Sequence, residues 1–328
     1  MAGGSSVGTP PDNRIQRRPR KGNVGHRNTV SRNAAQPSVS ACRMVRMKRI
    51  LVTGATGKVG RQVVSQLLAT DARVSALTRN PDAADLPPGV EVVRGDLTVP
   101  EVLAECLDGV DAVFLVWTAP ASAAPAAVDR MAKHARSIVF LSSPHRTPHP
   151  FFQQPNPLAS LHAEIERLIE ASGLRWTFLR PGMFAANSLS WWAPQIRAGD
   201  VVRWPFAAAP TAPIHERDIA AVTVRALLEA GHDGAEYVLT GPQSLSQLEQ
   251  VITIGDVIGR SLRFEEISPE EWRREMLASA SVVNMLLNAW AAAIGQPALV
   301  TYTVAEITGS PARTFRDWVT DHADEFRA

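Results

Sequence analysis

Residues 48–68 read Lys-Arg-Ile-Leu-Val-Thr-Gly-Ala-Thr-Gly-Lys-Val-Gly-Arg-Gln-Val-Val-Ser-Gln-Leu-Leu. Ile50, Leu51 and Val52 form a short apolar run of the kind that a strand buried on both faces requires, and Val63, Val64, Leu67 and Leu68 then recur at helical spacing. Between them stands Gly54-x-x-Gly57-x-x-Gly60, with Ala55, Thr56, Lys58 and Val59 in the gaps. The first glycine permits a tight turn after the strand, the second lets backbone approach a pyrophosphate, and the third lets helix pack closely on strand. A helix N-terminus offers unpaired N–H groups and a positive dipole end to that phosphate. A strand, a glycine turn and a helix in this order predict a dinucleotide site over Gly54–Gly60, against the alternative of a merely structural turn.

The same alternation continues outward from this unit. Strands are expected at 73–77, 91–93, 112–116, 137–141 and 175–179, with helices at 100–107, 126–135 and 158–171 between them. Alternation of this kind is the mark of an α/β fold, a doubly wound parallel (Rossmann) sheet covered on both faces. Beyond Arg180-Pro181 the pattern turns irregular, with helices expected at 216–230, 246–258 and 269–288 and short strands at 236–239 and 262–265. The expected organisation is a disordered basic tail over 1–47, a nucleotide-binding core over 48–180, and a smaller C-terminal α+β substrate-capping lobe over 181–328 that returns strands and helices to the core.

Composition bounds the function classes. The chain has 328 residues, 45% of them hydrophobic, enough for a large core, and a formal charge of +2. That balance is uneven. Residues 1–48 carry ten Lys or Arg against the single acid Asp12, or +9, which leaves −7 on the remainder. The sequence pI of 8.7 therefore belongs to the tail. A mildly acidic body argues against a nucleic-acid surface there, and no apolar run approaches the roughly 18 residues of a membrane span. The tail itself reads as an upstream-extended start before Met44 or Met47, as an organellar transit peptide, or as an RNA- or membrane-surface arm. The two cysteines, Cys42 and Cys106, show no metal-ligand or disulfide spacing, so no metal is expected and a cytoplasmic setting fits.

Cofactor choice is read one strand after the glycines. A site for NAD(H) places Asp or Glu at the end of the second strand to accept from the ribose 2′-hydroxyl. Here that stretch is Ala76-Leu77-Thr78-Arg79-Asn80, without a carboxylate. Arg79 is suited to a 2′-phosphate, so NADP(H) is expected over NAD(H), the alternative being a solvated charge at a strand end. Lys58 is either a second phosphate contact or an exposed lysine.

Four segments together, Thr53-Gly-Ala-Thr-Gly-x-x-Gly60, Thr78-Arg-Asn-Pro81, Gly95-Asp-Leu97 and Ser172-Gly-Leu-Arg-Trp-Thr-Phe-Leu-Arg-Pro-Gly-Met-Phe-Ala-Ala-Asn187, resemble the NmrA-like branch of the atypical short-chain dehydrogenase/reductases. The resemblance runs in register from about 49 to 260. It implies that Asp96 and Leu97 lie by the adenine, that Val116, Trp117 and Thr118 line the cofactor, and that Ser142 and Ser143 stand near the nicotinamide. Typical members of the wider superfamily use a Tyr-x-x-x-Lys pair as proton donor, and this chain lacks it: Tyr237 and Tyr302 are followed four residues later by Gly241 and Glu306. Counting back from Glu166 in the extended pattern puts His162 at the lysine position and Leu158 at the tyrosine position. His162 is thus the candidate to hold the nicotinamide ribose or relay a proton, with a helix residue that has no proton role as the alternative. Any acid must come from His145, His149, His215 or water.

An enzyme without that tyrosine is suited to acceptors that need mainly hydride delivery and orientation. Trp117, Phe151, Phe152, Phe184, Trp191, Trp192 and Trp204 fall in loops at the strand ends and in the lobe, where they can stack a planar substrate or simply pack the lobe on the sheet. Trp117, Phe184, Asn187, Trp191 and Trp192 are the expected pocket residues. The reading is an NADPH-dependent reductase of a small aromatic or conjugated electrophile of quinone, enone or imine type. Its alternative is a non-catalytic dinucleotide sensor acting through a protein partner.

Overall fold

The computed structural model describes residues 47–276 and 279–327, so the expected tail lies outside the described residues apart from Met47. The first strand, β1 (Arg49–Val52), is followed by α1 (Lys58–Leu68), β2 (Arg73–Thr78), β3 (Glu91–Arg94), α2 (Pro100–Cys106), β4 (Ala112–Leu115), α3 (Ala124–His134), β5 (Ser137–Leu141), α4 (Pro157–Ala171) and β6 (Arg175–Pro181). The order in the sheet is β3-β2-β1-β4-β5-β6, and the strand Ala235–Leu239 completes it at the β6 edge. Every pairing is parallel; Ile50 sits opposite Val74 on one side and Ala112 on the other. Ile50, Leu51 and Val52 are all fully buried, which is why their apolar run does not alternate.

The chain winds outward from β1 to β3, then restarts at β4 and winds the other way. Connections leaving β1 and β4 therefore diverge at their C-terminal ends, and a crevice opens at that switch point. Helix α1 turns Val59, Val63, Val64 and Leu67 into the sheet. The helix Glu216–Leu228 packs beside α1, so the C-terminal part of the chain supplies both an edge strand and a covering helix to the core. Asn156 starts α4: its side chain accepts from the N–H groups of Leu158 (2.9 Å) and Ala159 (3.2 Å), with Pro157 at the first helical position.

A second cluster forms the lobe. Trp192, Trp204, Trp272 and Trp290 are fully buried in it, with ring centroids 5.1 Å apart for Trp204–Trp272 and 5.4 Å for Trp272–Trp290. A two-stranded parallel ribbon, Val201–Trp204 with Arg263–Glu266, and the helix Gln247–Ile258 frame this cluster. The single helix expected over 269–288 is instead two, Pro269–Glu275 and Ala280–Ala293. The reason is geometric. Eighteen residues of continuous helix would hold Trp272 and Trp290 about 27 Å apart along its axis, and both rings belong to one core. Among the described residues no helix is long and apolar enough to cross a membrane.

Candidate active site

The glycine turn forms a groove walled by backbone. Gly54 has φ +60°, and a Cβ there would stand 2.9 Å from Val116 Cβ. A Cβ on Gly60 would stand 2.1 Å from the Gly54 carbonyl oxygen, so the close packing that this glycine permits is against the turn itself. The Gly57 N–H donates to Gly54 O at 2.9 Å, and Gly57 precedes α1 without any side-chain cap. The N–H groups of the first helical turn have no partner within the helix, which leaves them to an anion. Thr53 ties the turn to the next strand: its hydroxyl donates to Val116 O (3.1 Å) and accepts from Val116 N–H (2.7 Å).

Arg79 and Asp96 stand on the far wall of the groove, with Thr78, Asn80 and Leu97. Among the described residues the Arg79 guanidinium has no hydrogen-bond or ion-pair partner, while Asp96 Oδ1 accepts from the N–H and the hydroxyl of Thr98, both at 2.8 Å. Those Thr98 bonds, the backbone one foremost, hold the Asp96 carboxyl below its ordinary range. A turn with no room for a Cβ at Gly54 or Gly60, an open helix N-terminus and an unengaged guanidinium fit a phosphorylated dinucleotide.

Val116 also belongs to a second space, a cavity of about 410 Å³. Its walls are mainly apolar, with Trp117, Phe151, Phe152, Met183, Phe184 and Met285 prominent. Leu158 and His162 both line it, one helical turn apart on α4, so the positions matching the missing tyrosine and lysine do face the site. Burial is the largest influence on His162 and holds its pKa down at about 4, with Glu166 pulling it up and His145 adding to the depression. His162 is therefore a neutral imidazole near pH 7, and its Nδ1 is buried without a partner.

Beneath this floor lies a buried ionic network. Arg180 grips the fully buried Glu166 with two bonds, Nε to Oε1 at 3.0 Å and Nη2 to Oε2 at 2.7 Å, and its third nitrogen pairs with Glu236. Ser142 Oγ donates to Glu166 Oε1 at 2.6 Å. His145 donates from Nδ1 to the Ser143 carbonyl (3.0 Å), because that oxygen can only accept, and its Nε2 stands 3.3 Å from Glu166 Oε2.

The structure brings Gly54, Thr56, Gly57, Arg79, Asp96, Leu97 and Val116 to the groove, and Val116, Trp117, Ser142, His162, Phe184 and Asn187 to the cavity. Ala55, Val59 and Gly60 are buried beneath the turn as its support. Lys58 is exposed at the turn, and its Nζ donates to Ala186 O at 2.7 Å. Three expectations are corrected. Trp191 and Trp192 do not line the cavity; Trp192 is fully buried in the lobe core, where Trp191 and Trp204 pack against it. His215 lies away from the cavity, with Nε2 3.2 Å from Asp321. His149 turns Nε2 to Pro297 O at 3.1 Å. Sequence reasoning missed Thr53, Ala119 and Pro120 in the groove and Met183, Met285, Leu286 and Ala289 in the cavity. Thr53 was legible from its place before Gly54; the last three carry no signal, because an apolar helix residue reads as core.

Comparison with known proteins agrees with this geometry. The NAD(P)H-binding family pattern matches residues 54–230. The chain is 38% identical over 286 residues to (4-alkanoyl-5-oxo-2,5-dihydrofuran-3-yl)methyl phosphate reductase of Streptomyces griseus, covering 84% of this chain and 99% of that one. It is 34% identical over 294 residues to the NAD(P)H azoreductase of Xenophilus azovorans, covering 85% and 99%. Its fold matches the crystal structure of the NADPH-dependent quinone oxidoreductase of Escherichia coli complexed with NADPH, with a TM-score of 0.71, 23% identity, and coverage of 83% and 99%.

Proposed function

The chain belongs to the NAD(P)H-binding family, and we propose that it is an NADPH-dependent reductase of a small aromatic or conjugated electrophile. The observation that carries this reading is that the glycine groove and the apolar cavity adjoin at Val116, which lines both. A bound NADPH supplies the hydride. On this reading residues 48–180 hold the cofactor and 181–328 cap the acceptor. Gly54, Gly57 and the start of α1 receive the pyrophosphate, Arg79 the 2′-phosphate and Asp96 the adenine end. His162, neutral and buried, holds the nicotinamide ribose and orients it, without acting as an acid.

Trp117, Phe151, Phe152 and Phe184 exclude water and hold the acceptor flat against the groove mouth. One hydride and one proton add across the acceptor double bond, and the proton comes from water at the cavity mouth, since no tyrosine stands at the position of Leu158. The relatives named as reductases of an unsaturated oxo-ring compound and of azo compounds support an acceptor of this reactivity.

The test uses the full chain. Tryptophan fluorescence measures binding of NADPH, NADP+, NADH and NAD+, and loss of reduced-nicotinamide absorbance then measures turnover with naphthoquinones, azo dyes and unsaturated lactones. NADPH is expected to bind tightest and to be consumed with at least one acceptor class. Equal or tighter binding of the oxidised forms, with no acceptor consumed, would overturn the reductase in favour of a dinucleotide sensor.

A further inference from the structure

The cavity is lined by neither lysine nor arginine; of its two histidines, His162 is neutral near pH 7 and His145 turns Nε2 to Glu166 Oε2 at 3.3 Å, where any charge it carries is paired. The nearest guanidinium beneath the floor, Arg180, is 3% exposed, with Glu166 on one edge and Glu236 on the other. Arg146, farther out, is shared by Glu236 at 3.3 Å and Glu170 at 4.0 Å. The fixed charges around the floor thus comprise three carboxylates and two guanidiniums, which leaves no positive field for an anion entering the cavity.

The buried side-chain polar atoms of the lining without a hydrogen-bond partner are on Trp117, Ser143, His162 and His145, and the His145 atom already faces Glu166 at 3.3 Å. Trp117 Nε1 is buried without a partner and can only donate; Ser143 Oγ is also buried and unpartnered, and so is His162 Nδ1. Other donors of the lining are already engaged: Ser142 Oγ bonds Glu166, Asn187 Nδ2 bonds Met183 Sδ at 3.0 Å, and Gln154 Nε2 bonds Pro150 O at 3.1 Å. A buried donor without an acceptor is costly, and so is a buried anion without a counter-charge. Both costs vanish together for one kind of ligand.

We propose that the acceptor is an uncharged molecule that offers an oxygen or nitrogen lone pair to Trp117 and Ser143, and that this cavity discriminates against acceptors bearing a phosphate or carboxylate. The inference rests on the reductase reading for the identity of the site, but not for its charge preference. Trp117 and Ser143 are the specificity-determining donors, at the junction where Trp117 follows Val116. The preference differs from what the name of the Streptomyces relative suggests, since that substrate is a phosphate ester.

Two matched pairs test it on the NADPH-loaded full chain: methyl red, an azobenzene carboxylate, against its methyl ester, and a hydroxymethyl-substituted unsaturated lactone against its phosphate monoester. Binding is read from tryptophan fluorescence and turnover from nicotinamide absorbance. The uncharged member is expected to bind at least about 30-fold tighter in each pair, about 2 kcal/mol. Equal or tighter binding of the charged member, or no binding by any of the four, overturns the proposal. Binding of the uncharged members without oxidation of NADPH leaves the proposal standing and sinks the reductase reading instead. Leu158 gives a second arm, because it lines the cavity yet is 51% exposed, so a lysine there does not burden the fold. Leu158→Lys should shift the ratio of charged to uncharged binding about tenfold toward the charged members, both members of each pair being measured on the same variant. An unchanged charged-to-uncharged ratio would refute the electrostatic basis.

Discussion

The groove is walled by a few short stretches of chain, Thr53–Gly57, the end of β2 and the loops that follow β2, β3 and β4. The cavity that shares Val116 with it is walled by side chains from segments as distant as Trp117, His162, Phe184 and Ala289. On the proposed reading the first receives its ligand through N–H groups and the guanidinium of Arg79, all placed by the local course of the chain. The second depends on how a lobe sits on a sheet, and on a buried ion network that holds β5, α4 and β6 together under it. Single substitutions should therefore separate the two: loss of a side chain beneath the cavity should disturb the fold, and loss of a side chain on the groove should disturb only the ligand.

The largest expected effect is on the floor. Glu166→Leu leaves Arg180 buried with half its carboxylate partners, a change that costs about 3–5 kcal/mol. Thermal unfolding should come about 10 °C lower, while NADPH affinity well below that temperature stays within a few-fold. A Tm unchanged within a degree or two would mean that side chains do not hold the cavity up, and the contrast would fail. Arg79→Ala comes next and should weaken NADPH about 100-fold while moving NADH less than about threefold, about 2.7 kcal/mol on one ligand alone. Equal losses for both nucleotides would show that Arg79 shapes the groove rather than reading a 2′-phosphate.

The third effect depends on pH. The His162 pKa is depressed from 6.5 to about 4 in the folded protein, so between those values the unfolded chain takes up a proton that the folded one refuses. Its contribution is fully present above pH 6.5 and is lost as pH falls toward 4. Between pH 7.5 and pH 5 this amounts to about 2 kcal/mol, which His162→Gln should remove from the acid side of the stability profile. Parallel stability–pH curves for the two proteins would show that His162 is not buried as described.

How much of this was legible follows from the same contrast. The strand, the glycine turn and α1 are contiguous, and Gly54 and Gly60 are required by local clashes, so spacing carried the groove. Arg79 was legible because the end of β2 falls a predictable distance on. The cavity was legible only in part: Trp117, Phe184 and Asn187 line it as expected, but an apolar residue has the same sequence signature whether it lines a space or fills one. Trp192 and Met285 illustrate the two errors, one assigned to a wall and found in a core, the other on a wall and unremarked. The break between Pro269–Glu275 and Ala280–Ala293 was invisible for a related reason: it is imposed by where Trp272 and Trp290 must meet, not by a local stop signal.

Lys58 is where the two regions touch. It opens α1 at the glycine turn, yet its ammonium donates to Ala186 O, between the cavity residues Phe184 and Asn187. If the lysine is a tether, Lys58→Met should leave NADPH affinity within about twofold, because the cradle is backbone and loses nothing. The acceptor KM should rise a few-fold instead, since the wall that carries Phe184 and Asn187 loses a charge-assisted bond of about 1.5–3 kcal/mol before relaxation. Salt provides the control: a phosphate contact is screened by added chloride, whereas a part-buried tether is screened much less. A tenfold fall in NADPH affinity that shrinks at high salt would make Lys58 a groove residue that swings away from Ala186 when the ligand arrives. The boundary between backbone-built and side-chain-built recognition would then run through α1 itself, not through Val116.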